Sequence, residues 1–481
     1  MSVLPPPPQQ RPQPHAQHPY PRPHRHPPSS RWAVLCVVLL AEVMDLLDAT
    51  ITGVAAPAIA ADLGGGREVT QWLQAGYTLP FAALLITAGR LGDRFGRRRL
   101  FLVGAAGFTA ASALCALAGG PGALIAARAL QGAFGALLLP QGFGIIKETF
   151  PEAELGRAFG LFGPVMGLCA VGGPVLGGLL AGADLFGTGW RLVFLVNLPL
   201  GLAAVAGAAR WIPRGKPDPG LRLDVPSMLL AGAASAAVVF PLVQGPELGW
   251  PVWSLVLAAA GPAGFVLFGR LQRRRPSPLV EPSLLANRAY TGGMWVALVF
   301  YASFTGLMLV LSLFLQGPLG LSPQGAGYSV APMALGIALS AGPAGSLARR
   351  HGRVVIQSGI VLTALGLVLL AASADAAVDG RRLVPGTLVT GLGMGLVIPP
   401  LFDVILAGVA EAEVGSASGV LDAVQQLAGA LGVALLVTVW TAFADHGATA
   451  ATALSATALT TLVLLAAALA LSVRLPRHAR A

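Results

Sequence analysis

Gly89-Arg90-Leu91-Gly92-Asp93-Arg94-Phe95-Gly96-Arg97 is a short charged run between two long apolar ones. It recurs as Gly345-Ser346-Leu347-Ala348-Arg349-Arg350-His351-Gly352-Arg353, with five of nine positions identical. Each copy follows the second apolar span of a block of six, one block over about 31–210 and the other over about 285–475. The chain is thus duplicated, with further apolar segments inserted between its halves. Parallel repeats of this kind belong to transporters that hold a substrate near the membrane midplane, between two bundles that rock around it.

Outward from the two copies, apolar runs bounded by charges or turn residues give spans at 32–54, 70–89, 100–118, 122–146, 158–182, 192–211, 225–244, 252–269, 291–315, 326–348, 354–374, 384–408, 418–441 and 449–473. About 20 apolar residues cross a hydrocarbon core of about 30 Å as a helix, which satisfies its own backbone polar groups. Of the 481 residues, 55% are hydrophobic and only 11% charged, against roughly 25% charged in a soluble globular protein. The expected fold is an all-α membrane protein of fourteen spans. It comprises a Pro- and His-rich tail (1–30), a six-helix bundle (31–210), a linker with two extra transmembrane helices (211–284), a second six-helix bundle (285–475) and a short tail (476–481).

Orientation follows from the basic residues, which collect in cytoplasmic loops. With both termini inside, 26 of the 31 Lys and Arg fall in inside segments, Arg67, Arg191, Arg381 and Arg382 fall outside, and Arg128 lies within a span. A net charge of +10 therefore marks topology in an inner (plasma) membrane, and not a nucleic-acid surface. His15, His18, His24 and His26 sit in a Pro-rich segment without fixed geometry, so no metal site is expected. Cys36, Cys115 and Cys169 all fall in apolar runs and read as packing residues.

The run from Gly89 to Arg99 resembles the signature between helices two and three of the major facilitator superfamily. Gly89 and Gly96 permit tight turns and close helix approach, while Asp93 can bind Arg94 or Arg97, making the loop a latch between the halves. Four further stretches are similar to the fourteen-helix drug:proton antiporters of that superfamily. Leu47-Asp48-Ala49-Thr50-Ile51, running to Pro57, looks like their first-helix motif, with Gly53 where Asn is usual. Arg128-Ala129-Leu130-Gln131-Gly132-Ala133-Phe134-Gly135 resembles the motif linked to proton transfer. Gly160, Cys169 and Gly173-Pro174-Val175-Leu176-Gly177-Gly178 resemble the antiporter signature, with Cys169 replacing a Gly. Trp190-Arg191 through Asn197 to Gly201 resembles a segment of the fourteen-helix branch, in which Trp190 and Arg191 suit an external interface.

The resemblance implies a proton-driven exporter of small lipophilic or cationic compounds such as drugs, antibiotics or related metabolites. It implies the proton as coupling ion, no organic cofactor, no nucleotide, no catalysis and a monomer in the bilayer. Asp48 and Arg128 take the proton-coupling positions, and the glycines of span five form the hinge. The residues themselves add more. Glu42, Asp45 and Asp48 recur every three positions and form a stripe along span one, where three acids demand water or partners. An Arg at helix centre costs roughly 2.5–3.5 kcal/mol to insert, so Arg128 is expected to face the bundle interior and a partner. Gln131, Asn197, Asp422 and Gln425 are polar groups inside spans and candidate substrate contacts. Asp403, Gln426, Met294, Phe300, Tyr301 and Phe304 are weaker candidates. No phosphate-cradling loop is present, so ATP is not the energy source. Two alternatives stand beside export: an uptake symporter of the same fold, and a membrane enzyme or sensor.

Overall fold

The computed structural model describes residues 28–64, 67–151, 154–155, 157–158, 161–162, 165, 169, 172–173, 176–177, 180, 187–215, 217–221, 223–245, 248–275, 278–321, 323–373, 380–406, 409–410, 413–445 and 447–476. Regular structure among them is helical throughout. The main helices are α1 (Pro28–Asp62), α2 (Arg67–Phe95), α3 (Arg97–Ala116), α4 (Pro121–Thr149), α5 (Asn197–Trp211), α6 (Val225–Gln244), α7 (Val252–Gln272), α8 (Arg288–Gln316), α9 (Pro323–His351), α10 (Arg353–Ala372), α11 (Val384–Leu406), α12 (Val414–Asp445) and α13 (Ala450–Ser472). Eleven of these, α3 to α13 with α5 extended back to Gly189, are long and apolar enough to cross a membrane. At 1.5 Å per residue, α1 and α2 are about 52 and 44 Å long, so they too have the reach. The span expected at 158–182 is described only at isolated positions; Gly160, Pro174 and Gly178 lie outside the described residues.

Local chemistry sets the boundaries. Gly96, at φ 93°, ends α2 and starts α3, and Gly352, at φ 58°, does the same between α9 and α10. Only glycine takes up this left-handed region without strain, which is why the repeated motif keeps it in both copies. Asp224 caps α6 by accepting from Ser227 N, and Asn287 caps α8 by accepting from Ala289 N at 2.9 Å.

The first bundle is built on α4, which packs against α2 and α3, and the second on α11, which packs against α9 and α10. Both contacts are backbone-close. A Cβ added at Gly132 would stand 2.1 Å from the Tyr77 carbonyl oxygen, and one added at Gly391 would stand 2.0 Å from that of Met333. Small residues at such crossings permit the close packing that holds helices together in lipid. Helices α6 and α7 pair with each other, and α6 lies against α2 and α12.

The two bundles meet where α12 crosses α2 and α4. A Cβ at Gly419 would lie 2.9 Å from Leu85 O and 3.6 Å from Gly89 Cα, so the first glycine of the repeated motif sits at the crossing itself. Phe143 of α4 stacks on Phe402 of α11 at 5.4 Å, and Lys147 Nζ donates to the carbonyls of Leu406 and Val409. These ties lie toward the ends of the helices that carry Arg90–Arg99, the basic end of the molecule.

Candidate functional site

Asp48 and Arg128 meet in the centre of the first bundle, both fully buried, with Arg128 Nη1 donating to Asp48 Oδ2 at 2.5 Å. The pair is closely supported. Asp48 Oδ1 accepts from Gln131 Nε2 at 2.8 Å and from Asn197 Nδ2 at 2.7 Å, while Gln131 Oε1 accepts a second bond from Arg128 Nη1 at 2.8 Å. Ser112 of α3 joins the network by accepting from Asn197 at 3.0 Å and donating to Phe194 O at 2.9 Å. Arg128 Nε donates to Leu73 O of α2, and the guanidinium carbon lies 4.5 Å from the centre of the Tyr77 ring. Removing such charges from water costs several kcal/mol per ion, and only dense pairing of this kind offsets it. The four helices α1, α3, α4 and α5 each supply a side chain, and α2 supplies the carbonyl and the aromatic face.

In front of this network lies a cavity of about 310 Å³ between the bundles. From the first bundle it is lined by Glu42, Asp45, Phe81 and Phe143, and from the second by Tyr301, Phe304, Phe402, Asp422, Gln425 and Gln426. Its size and largely apolar wall with a few polar groups are those of a small-molecule site. Asp45 is the link to the interior, because Tyr77 donates its hydroxyl to Asp45 Oδ1. Asp422 is 3% exposed, and its Oδ2 has no hydrogen-bond partner among the described residues.

The acids of span one therefore divide. Glu42 and Asp45 stand on the cavity wall, whereas Asp48 is enclosed in the network. The four expected substrate contacts divide as well. Gln425 and Asp422 line the cavity, while Gln131 and Asn197 are buried in the network and line none of it. Gln426, Tyr301 and Phe304 also reach the cavity; Phe300 packs in the core, Met294 borders a separate apolar groove, and Asp403 is half-buried in α11. Gly53 is exposed with nothing within 4 Å of an added Cβ, so the departure from Asn there does not touch the cavity. Of the span-five positions, Cys169 and Gly177 are buried, and a Cβ at Gly173 would stand 2.1 Å from Thr50 Oγ1, placing that glycine hard against α1.

Asp93 pairs with the neighbouring Arg97 at 3.0 Å, folded back onto it by the Gly96 turn, and Arg97 also donates to Glu148 at 2.7 Å. The ties into the linker come from Asp93 O, which accepts from Asp218 N at 3.1 Å, and from the neighbouring arginines. Arg94 donates to Pro219 O at 2.6 Å, and Arg90 donates to Pro278 O and pairs with Glu281. The stretch 278–283 is in turn held to the second bundle, where Ser416 Oγ donates to Leu279 O at 2.5 Å and Ser283 Oγ to Glu413 at 2.7 Å. One expectation needs correction: Trp190 is only 5% exposed and donates to Asp62 at 2.7 Å, so it ties α5's approach to the end of α1 and does not face outward as an anchor. Tyr77, Ser112 and Glu281 were not singled out from the sequence. The spacing of Gly132 and Gly135 on α4 is the signal that could have pointed to a bulky partner on a facing helix.

Comparison with known proteins agrees with this architecture. Residues 38–433 match the family described as the Major Facilitator Superfamily. A probable actinorhodin transporter of Streptomyces coelicolor is 50% identical over 432 residues, covering 88% of this chain and 75% of that one. The puromycin resistance protein pur8 of Streptomyces alboniger is 37% identical, covering 90% and 87%. A multidrug resistance protein B homolog of Mycobacterium tuberculosis is 35% identical, covering 88% and 78%. The crystal structure of the human organic anion transporter MFSD10 superposes with a TM-score of 0.66 at 16% identity, covering 93% of this chain and all of that one, a likeness of fold. The chain belongs to the major facilitator superfamily and is a membrane transporter, not an enzyme.

Proposed function

We propose that the protein exports small lipophilic compounds, antibiotics or related metabolites among them, by alternating access driven by the inward proton gradient. The observation that carries this is the pairing of a buried Asp48–Arg128 network with an aromatic cavity between the bundles. A cavity walled by Phe81, Phe143, Phe304 and Phe402 takes up flat or bulky apolar molecules through dispersion and stacking. Glu42, Asp45 and Asp422 add acids that accept a proton or a cationic group of the substrate. Intramembrane acids with partners of this kind mark proton relays and substrate paths. The names of the relatives, an actinorhodin transporter and two resistance proteins, support export over uptake.

The reading includes fourteen spans, both termini in the cytoplasm, a monomer in the cell membrane, and the proton as the coupling ion without an organic cofactor. The basic end is then the cytoplasmic end, bridged in this conformation by Lys147, Phe143 and the stretch 278–283. In everted vesicles that acidify their lumen, lipophilic dyes and antibiotics should accumulate, and a protonophore should abolish the accumulation. Accumulation that survives the protonophore removes proton coupling. Uptake in the opposite sense identifies a symporter.

A further inference from the structure

We propose that Tyr77 is the positioning residue that carries the state of the cavity acid Asp45 to the buried Asp48–Arg128 pair; this rests on the proton-coupled reading above. Three observations converge on it. Its hydroxyl donates to Asp45 Oδ1, on the cavity wall, and its ring lies under the guanidinium of Arg128, 4.5 Å from ring centre to Cζ. Arg128 Nη2 has no hydrogen-bond partner among the described residues, and of the two rings over which the guanidinium lies Tyr77 is the nearer, at 4.5 Å against 5.9 Å for Phe194. Both glycines of the α4 motif also pack against this one residue. Gly132 lets α4 close onto the Tyr77 backbone, and a Cβ at Gly135 would stand 2.8 Å from the Tyr77 hydroxyl and 3.1 Å from Asp45 Oδ1.

The arrangement solves a problem of access. Asp48 is wholly enclosed and lines none of the cavity, whereas Asp45 lies on its wall. A proton or cation arriving from the cavity therefore meets Asp45 before Asp48. Charged Asp45 holds the Tyr77 hydroxyl more strongly than neutral Asp45 does, because hydrogen bonds to ionised acceptors are roughly twice as strong as neutral ones. Neutralising Asp45 loosens the ring, and the ring is one wall of the Arg128 site; the guanidinium then redistributes between that face and Asp48. The charged and titratable groups facing Asp45 are Glu42 and Asp48 on α1, Tyr77 on α2, Arg128 on α4 and Asp422 on α12. Among them Tyr77 touches both Asp45 and Arg128.

The internal repeat isolates the same residue. The spacing that carries Gly89 onto Gly345 carries Tyr77 onto Met333, which occupies the same seat against Gly391. Where the second bundle has no buried ion pair among its described residues, it has no hydroxyl at this place either.

Tyr77→Phe keeps the ring and removes the donor. In proteoliposomes, the variant is expected to bind a fluorescent lipophilic substrate within about twofold of wild type and to lose at least tenfold in export driven by a pH gradient. The midpoint of its pH profile for substrate exchange should move by half a unit or more. Gly135→Ala, which crowds the same bond without removing it, should show the same split between binding and coupling. Wild-type export and an unchanged pH profile in Tyr77→Phe overturn the proposal. Lost substrate binding together with a lowered melting temperature also overturns it, because the residue is then only structural. Wild-type protein that exports equally well without a proton gradient removes the coupled reading and this proposal with it.

Discussion

The two bundles share one frame and differ in what fills it. Gly132 and Gly391 occupy the same seat, so the positions one turn before them, Arg128 and Thr387, correspond, as do Gln131 and Thr390. In the first bundle these side chains reach across to Asp48 on another helix. In the second, Thr387 Oγ1 donates to Leu383 O at 3.0 Å and Thr390 Oγ1 to Gly386 O at 2.8 Å, each satisfied by a carbonyl one turn before it. Beside these threonines α10 and α11 come into backbone contact: a Cβ at Gly366 or Gly393 would stand 2.3 Å from the backbone nitrogen of Thr390 or Thr363. A buried pair gives little net stability over a well-packed apolar core. The second bundle shows that this frame packs without one, so the pair in the first is retained for what it does.

The largest effect is expected from breaking that asymmetry at Asp48. Asp48→Asn keeps the shape and the bonds from Gln131 and Asn197 while removing the charge and the titration. Export under a pH gradient should fall by about 100-fold or more while substrate binding remains measurable, the loss equal to about 3 kcal/mol of coupling. Vesicle transport assays check it, and wild-type export would pass the role to Asp45 or Glu42. The converse substitutions test the frame. Arg128→Met leaves Asp48 buried without its counter-charge and should cost about 3–5 kcal/mol of stability, read as a lower melting temperature in detergent. Thr387→Arg places an unpaired charge in the tight bundle and should fail to insert stably. A well-folded Thr387→Arg protein would show that the two interiors are less different than their packing implies.

A second contrast, smaller in effect, sets the two copies of the repeated motif against each other. Arg90 of the first copy reaches Pro278 O and Glu281, and through that stretch the second bundle. Its counterpart in the second copy, Ser346, donates only to Pro343 O of its own helix at 2.7 Å, and Arg353, the counterpart of Arg97, donates to Val473 O and Leu475 O at 2.5 and 3.1 Å, within its own bundle. Glu281→Gln should therefore shift the balance toward opening at the basic end by about 1–2 kcal/mol, roughly tenfold, because it removes a charge-assisted bond between the first bundle and the stretch held to the second. Thiol labelling of a cysteine placed at Leu406 reads this shift. Arg353→Ala should leave the labelling unchanged. Gly173→Leu, pressed against Thr50, should slow export while insertion stays intact, since a bulky side chain separates helices that pack closely.

What was legible in the sequence follows the same division. The bilayer forces long apolar runs and basic loops on any such chain, so eleven of the spans, the repeat and the turns at Gly96 and Gly352 could be read directly. Asp48 and Arg128 were visible because a charge inside a span demands a reason. Gln131 and Asn197 were visible as polar but not as partners of Asp48, because the pairing joins α1, α4 and α5 across more than 60 residues and no periodicity records it. Tyr77 was hidden for a related reason. An aromatic residue in a span is ordinarily packing, and only the geometry of Asp45 and Arg128 on either side of it says otherwise. The cross-tie through 278–283 was hidden because it uses backbone carbonyls, which every residue supplies.

The smallest effect is expected where the chain has least to bury. Residues 1–30 are dominated by Pro, Gln and His and have too little apolar content to form a core, so the bundles are expected not to need the tail before Ser30. The boundary, however, is sharp. Arg31 pairs with Glu154 at 3.3 Å, and Trp32 packs edge-on against Phe150 with ring centres 5.4 Å apart, so the first turns of α1 hold the end of α4 and the segment after it. A chain beginning at Ser30 should insert and export at the full-length rate. One beginning at Leu35 loses both contacts and should expose the end of α4 at the basic side. Its melting temperature should fall by a few degrees, in keeping with a loss of about 1–2 kcal/mol from one partly exposed ion pair and one aromatic pair. Equal export by all three chains would move the boundary inward. Lost export by the chain beginning at Ser30, with normal insertion, would give the tail a function that its composition does not suggest.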